Sequence, residues 1–299
     1  MKNTPASLQS KKILQKGGEM IKFSNGHAFE YMTASGALSF DGKGWVWDYP
    51  WRWLGVFDPT LFTSVTKTLT LQPMEGNLRW YNPFRCVRLL PGGVVNAVKL
   101  SNPGITWWCE NIGPSVDSSK IPLVVSIFGE PEELAEIAML LNRFDLVGLE
   151  INASCPNIQS QNTAKVIAGC RAVKENTRFP IILKLSVSHD LEQIVKEVGN
   201  LVESFSINSI PWATAFPNRK SPLANLGGGG VSGKAAQPFT WDLVKKLVNL
   251  TSIPVIGPSI WEFDDLENIR NLGAKAISFG SIFLRYPWRP TLYVRREQK

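Results

Sequence analysis

From residue 123 onward the sequence keeps one rhythm, in which short apolar runs alternate with longer segments carrying an apolar stripe. Residues 123–129 (LVVSIFG), 146–151, 181–186, 204–210, 254–257 and 276–281 are runs of strand length, nearly continuous in apolar residues. Strands covered on both faces have this composition. Between them, residues 131–143, 163–177, 190–201, 241–250 and 266–272 read as helices. Pro131 opens the first of these, with Glu132 and Glu133 near the positive end of its dipole, and Asp190 caps the third. Residues 31–35 and 61–67 bring the strands to eight, most of them followed by a helix. Eight parallel strands with crossover helices close into a (β/α)8 TIM barrel, an α/β fold. One domain over residues 21–299 is expected, after a polar lead-in over residues 1–20. The length of 299 residues suits one barrel, since such domains run to about 250 residues or more.

Composition narrows the setting. A hydrophobic share of 44% and a charged share of 19% describe a globular chain with ample core. No apolar run reaches the roughly 18 residues that span a bilayer, and the first twenty residues lack a signal-like apolar stretch, so no membrane association and a cytoplasmic location are expected. The net charge of +7 would suit a phosphate-bearing partner, but much of it lies near the chain ends, where solvated charge explains it. Cys86, Cys109, Cys155 and Cys170 form no C-x-x-C pair and do not cluster with His27 or His189, which argues against zinc or an iron–sulfur cluster on this chain. Cys86, Cys109 and Cys170 read as buried small hydrophobes. The two histidines read as structural or exposed.

Cys155 is different because of its neighbours. Residues 148–157, GLEINASCPN, begin as a buried strand and break at Asn152, with Pro156 fixing φ where Asn152, Ser154, Cys155 and Asn157 are presented. A thiol flanked by amides at the carboxyl end of a parallel strand stands where α/β folds place chemistry. The other strand ends present Ser35 and Gly36, Lys67, Lys184, Asn208 and Ser209, residues 257–259, and Gly280 with Ser281. Two lysines suit an electron-rich ring or a carboxylate, and several amides suit a planar ligand with donors and acceptors. Glycines after the last strands expose N–H groups to a phosphate. A phosphorylated planar cofactor and a small amide-bearing substrate follow. Residues 72–108 show no lasting periodicity and read as a lid or binding loop. Trp45, Trp47, Trp51 and Trp53 read as core packing around a loop or as an interaction surface, and core packing is the expectation.

These pieces resemble dihydroorotate dehydrogenases, flavin-containing barrel enzymes of pyrimidine synthesis, over about residues 23–287. The resemblance is carried by ASG at 34–36, TKTLTL at 66–71 with EGN at 75–77, NAVKLSNPG at 96–104, NASCPN at 152–157, ILK at 182–184, INS at 207–209, GGGVSGKAAQP at 228–238 and GS at 280–281. It implies FMN as cofactor, Cys155 as the base taking a proton from C5 of dihydroorotate, and flavin as acceptor of the C6 hydride. Lys67, Asn96, Val98, Lys99, Leu100, Asn152, Asn157, Asn208 and Ser209 would meet the dihydroorotate or orotate. Ala34, Ser35, Gly36, Lys67, Thr68, Asn152 and Lys184 would hold the flavin, together with Ile207, Gly233, Gly257, Ser259, Gly280 and Ser281. Membrane-associated members carry Ser at the Cys155 position, so the chain resembles the soluble class. NPG at 102–104 and VSG at 231–233 resemble members that pass electrons to NAD through an iron–sulfur flavoprotein subunit. A homodimer is also implied, and no nucleic-acid partner.

The chain departs from the family pattern in four places. Pro258-Ser259 stand where Gly-Gly is usual, Lys99 where Gly is usual, and Gln237 where Lys is common; the prolines usual after Gly76-Asn77 are missing. Altered substrate choice, a weaker flavin site or a catalytically idle relative that still binds flavin are the readings these changes leave open. A dihydrouridine synthase acting on tRNA is a further flavin-barrel reading. It needs a helical RNA-binding region after the barrel, and only residues 287–299 follow Tyr286.

Overall fold

The structure is a computed structural model that describes residues 20–79, 81–153 and 162–299. The lead-in expected over residues 1–20, apart from Met20, lies outside the described residues, as do Cys155 and Asn157.

A hairpin comes first, β1 (Ile21–Lys22) against β2 (Ala28–Phe29). The chain then enters β3 (Tyr31–Thr33) and β4 (Ser64–Val65) and leaves for a second hairpin, β5 (Val87–Leu90) and β6 (Gly93–Asn96). It resumes with β7 (Leu123–Ile127), β8 (Gly148–Asn152), β9 (Ile181–Leu185) and β10 (Ser204–Ile207). A second excursion holds β11 (Ile210–Pro211) and β12 (Gly230–Gly233), before β13 (Ile256–Gly257) and β14 (Ala276–Phe279).

The eight strands read from the sequence are all present, with trimmed ends, and every pairing among them is parallel. They form a five-stranded sheet, β10-β9-β8-β7-β4, and a three-stranded sheet, β13-β14-β3. Single parallel bridges, Met32 to Thr63 and Phe205 to Val255, join one sheet to the other. The expected strand over 61–67 is cut short because Asp58 and Pro59 start a turn of 3-10 helix at Pro59–Leu61, capped by the Asp58 carboxylate accepting from the Thr60 amide at 3.1 Å. Helices Pro131–Leu141, Thr163–Asn176, Leu191–Val198 and Asp265–Asn271 fall where they were expected. Helix Gln237–Leu250 starts four residues before the expected Trp241, with Pro238 in its first turn.

Alternation along the strands separates two faces. Val125, Ile127, Leu149, Ile151, Leu183 and Phe205 belong to the large core that the helices cover. Their neighbours Val124 and Ile182 join Met32, Val65, Ile256 and Ala276 in a second apolar layer, closed from below by Phe23 and Phe29 of the first hairpin. Above that layer the same face turns polar, through Ser126, Glu150, Lys184 and Ser206, all buried. At the opposite rim, Arg270 bonds Glu30 and Glu297 at 2.7 and 2.6 Å, and Tyr31 donates to Glu297 at 2.6 Å, which fastens the helix Arg289–Glu297 to β3.

Two expectations are corrected. Residues 72–108 are not a loop without regular structure. They contain β5 and β6, which join β12 and β11 in a four-stranded antiparallel sheet, β11-β12-β6-β5. The glycine run at 227–230 leads into β12. A Cβ on Gly93 would come within 2.3 Å of the Ser232 carbonyl oxygen, and one on Gly229 within 2.7 Å of the Asn96 carbonyl oxygen. These glycines let the backbones of β6 and β12 meet. The second correction concerns the tryptophans. Trp51 packs against the core, but Trp53 is 83% exposed and Trp45 and Trp47 stack on one another away from it. Gly93→Ala is expected to destabilise the chain by about 1–3 kcal/mol, because the β6–β12 contact must open to admit the methyl. A urea unfolding midpoint equal to that of the parent chain would contradict this account.

Candidate active site

The carboxyl ends of the parallel strands and the inner side of the antiparallel sheet enclose one cavity of about 280 Å3. Its floor begins with a carboxylate in the middle of an apolar strand. Glu150 is 1% exposed, and its Oε1 accepts from Lys184 Nζ at 3.0 Å and from Ser126 Oγ at 2.9 Å. Its Oε2 accepts from Ser206 Oγ at 3.1 Å. The partners come from β7, β9 and β10, so three strands share the desolvation cost of one charge.

The hydroxyl protons above Glu150 are ordered by it. Ser126 spends its proton on the carboxylate and can only accept from Thr68 Oγ1, 3.0 Å away. Thr68, having donated to Ser126, accepts from Ser35 Oγ at 2.8 Å and from Asn152 Nδ2 at 3.0 Å. The amide of Asn152 is thereby oriented, with its Oδ1 buried and without a hydrogen-bond partner among the described residues. A buried acceptor in that state costs about 1–3 kcal/mol until a donor arrives, and it marks a place for a ligand N–H or O–H.

Around this floor the structure gathers nearly all of the site residues named from the sequence. Ala34, Ser35 and Gly36 line one side beyond β3, with Lys67 and Thr68 beyond β4. Gly36, at φ +78°, lies against the Lys67 side chain, which a Cβ there would meet at 3.5 Å. Asn96, Val98, Lys99 and Leu100 form the wall after β6. Asn152 and Lys184 stand at the centre, with Ile207, Asn208 and Ser209 after β10, and Gly233, Ser259, Gly280 and Ser281 complete the ring. Gly257 does not line it. Ile256 faces the inner layer, so Gly257 faces the helices, where a Cβ would come within 2.4 Å of Ile269, and Pro258 takes the place at the cavity. The expected base Cys155 and ring contact Asn157 lie outside the described residues.

Sequence reading missed Glu150, although a lone carboxylate inside GLEIN was a signal that a partner must exist. It also missed the aromatic wall. Trp45 and Trp47 line the cavity with ring centroids 5.2 Å apart and planes at 11°, and Trp45 Nε1 donates to the Gly36 carbonyl at 3.0 Å. Asp48 secures their turn by accepting from the Trp45 amide at 2.8 Å, and burial pushes its carboxyl up to about 6. Of the remaining cysteines, Cys86, Cys109 and Cys170 are free and buried as expected, and burial pushes the Cys170 thiol up to about 12. His27 bonds Thr63 Oγ1 at 2.9 Å, and His189 accepts from the Ser186 amide at 3.2 Å; neither lines the cavity.

The family model for dihydroorotate dehydrogenase matches residues 56–285. The chain belongs to the dihydroorotate dehydrogenase family. It is 34% identical over 238 residues to the dihydroorotate dehydrogenase B (NAD(+)) catalytic subunit of Desulforudis audaxviator, covering 75% of each chain. The protein of the same name from Trichlorobacter lovleyi is 31% identical over 266 residues, covering 84% of this chain and 82% of that one. Among solved structures, the ligand-free dihydroorotate dehydrogenase of Eimeria tenella superposes with a TM-score of 0.66 at 14% identity, over 93% of this chain and 85% of that one. At that identity the likeness speaks to the fold alone.

Two outcomes are expected from the floor and the wall. Glu150→Gln removes the carboxylate charge 3.0 Å from the buried Lys184 ammonium and should cost about 3–5 kcal/mol in urea unfolding; a loss under about 1 kcal/mol would show that the pair does not hold the floor. Asp48 has its folded-state carboxyl raised from 3.8 to about 6, so its stabilising contribution, complete below pH 3.8, is lost as pH rises through 6. Asp48→Asn keeps an oxygen for the Trp45 amide and removes that loss. Its melting temperature relative to the parent should therefore be higher at pH 7.5 than at pH 4.5, and a pH-independent difference would refute the assignment.

Proposed function

We propose that the chain oxidises dihydroorotate to orotate in pyrimidine biosynthesis, with FMN held in this cavity and Cys155 as the base. The observation that carries the reading is the buried Asn152 Oδ1, without a partner among the described residues and set among Lys67, Lys184 and Asn208 in a chain of this family. The residues fit a flavin. The small Ala34, Ser35 and Gly36 leave room for a flat ring, Lys184 offers a cation to its electron-rich edge, and Gly233, Ser259, Gly280 and Ser281 surround the end suited to the phosphate. When bound, FMN supplies the acceptor for the hydride that leaves C6 of the substrate.

The chain's own residues account for the rest. The Cys155 thiolate takes the proton from C5, so C5–H and C6–H break, the C5=C6 double bond forms, and two electrons leave with the hydride. Asn96, Asn152, Asn157, Asn208 and Ser209 offer both donors and acceptors to the pyrimidine amides and fix which ring edge faces Cys155. Lys67 and Lys184 place positive charge where negative charge develops. Val98 and Leu100 close the wall and exclude water. The two bridges between the parallel sheets, with an inner apolar layer drawing on both, support closure of the eight strands into a single (β/α)8 barrel. Relatives named as NAD-linked catalytic subunits support an iron–sulfur flavoprotein subunit as the electron acceptor.

Anaerobic addition of dihydroorotate to FMN-reconstituted protein should bleach the flavin absorbance; an unchanged spectrum refutes the reading. Cys155→Ala should slow that bleaching at pH 7 by about 10²- to 10⁴-fold. An unaltered rate removes Cys155 as the base.

A further inference from the structure

The non-glycine residues with positive φ among the described residues are Ser39 at +67°, Lys99 at +58° and Ser259 at +67°. A lysine in the left-handed region is unfavourable and persists where its surroundings impose it. Here they do. The Asn77 amide donates to the Val98 carbonyl at 3.0 Å, Asn77 Nδ2 to the Ala97 carbonyl at 2.7 Å, and the Leu78 amide to Ser101 Oγ at 3.0 Å. Ser101 Oγ in turn donates to the Val98 carbonyl at 3.1 Å. Gly76, at φ +51°, allows this approach, since a Cβ there would come within 2.1 Å of Ser101 Oγ. The turn bearing Lys99 is therefore clamped, and Val98, Lys99 and Leu100 all line the cavity.

The charge at that wall has no counterpart among the described residues. Lys184 is paired with Glu150, whereas Lys99 is in no ion pair among the described residues. A clamped turn that sets an exposed lysine, in no ion pair among the described residues, into the cavity wall fits an anion, and the substrate of the function proposed above carries one carboxylate.

We propose that Lys99 is a specificity-determining residue whose ammonium binds the substrate's carboxylate, so that the cavity selects pyrimidines bearing an anionic substituent over neutral ones. The proposal rests on the dihydroorotate reading. Calorimetric titration of the FMN-reconstituted full chain with orotate and with uracil, which lacks the carboxylate, tests it. Lys99→Gln and Lys99→Gly should each bind orotate about tenfold more weakly, the loss of one charge-assisted hydrogen bond, with uracil affinity unchanged. Glycine adopts the left-handed backbone without strain, so a loss in that variant belongs to the side chain and not to the turn. Lys99→Arg should keep orotate affinity within about threefold and keep its fall with rising salt. Unchanged orotate binding in Lys99→Gln overturns the proposal, as does a parallel loss of orotate and uracil, which would mark a role in shaping the wall. A parent protein that binds neither ligand refutes the dihydroorotate reading and the Lys99 assignment together.

Discussion

The buried carboxylate of Glu150 is the constraint to which the centre of this structure answers. Placed alone among Leu149 and Ile151 it would cost several kcal/mol, and it is tolerated because Ser126, Lys184 and Ser206 reach it from three other strands. Each of those side chains must face inward. A slip of one residue in β7, β9 or β10 would turn the partner towards the helices and bring an apolar side chain to the carboxylate. The ion cluster thus fixes register across four strands, and the same register delivers Lys184 to the cavity floor. Structure and site share one interaction.

The cluster also sets a direction. Because the carboxylate only accepts, each hydroxyl above it must donate downward, from Thr68 to Ser126 and from Ser126 to Glu150. Asn152 inherits its orientation from that sequence of donors and presents an acceptor to the cavity. The floor is therefore preorganised from beneath, by Glu150 and Ser126, which do not line the cavity. The walls are built by other means, through close backbone contact at Gly93 and Gly229 and through the stacked pair Trp45 and Trp47.

What the sequence made legible follows from how local each signal is. The parallel strands were readable because each is an apolar run of the right length, and Lys67, Asn152 and Lys184 were readable because they stand where those runs end. The β6–β12 pairing was not, since it joins Asn96 to Gly230 and its glycines break any alternating pattern. Trp45 and Trp47 carried no information on which side they face. Gly257 was assigned to the cavity by its place at a strand end, but the side a residue faces depends on parity along the strand. With Ile256 turned inward, Pro258 is the next residue to meet the cavity.

The departures from the family pattern obey the same separation between backbone and side chain. Ser259 keeps a left-handed φ of +67°, and its segment is secured by contacts from outside the cavity. Gln237 Nε2 donates to the Ser259 carbonyl at 2.9 Å and to Asp265 Oδ2 at 2.8 Å, and Asp265 also accepts from the amides of Trp261 and Glu262. Thr240 bonds the Ser259 hydroxyl at 3.1 Å, and Trp241 Nε1 donates to the Pro258 carbonyl at 3.0 Å. Gln237, standing where a lysine is common, is therefore a brace between loop and helix. Left-handed backbone at Lys99 and Ser259 costs on the order of 1 kcal/mol or more at each position compared with glycine. Both residues line the cavity, so that strain is stored where side-chain chemistry can act on a ligand, while the fold that imposes it is unchanged.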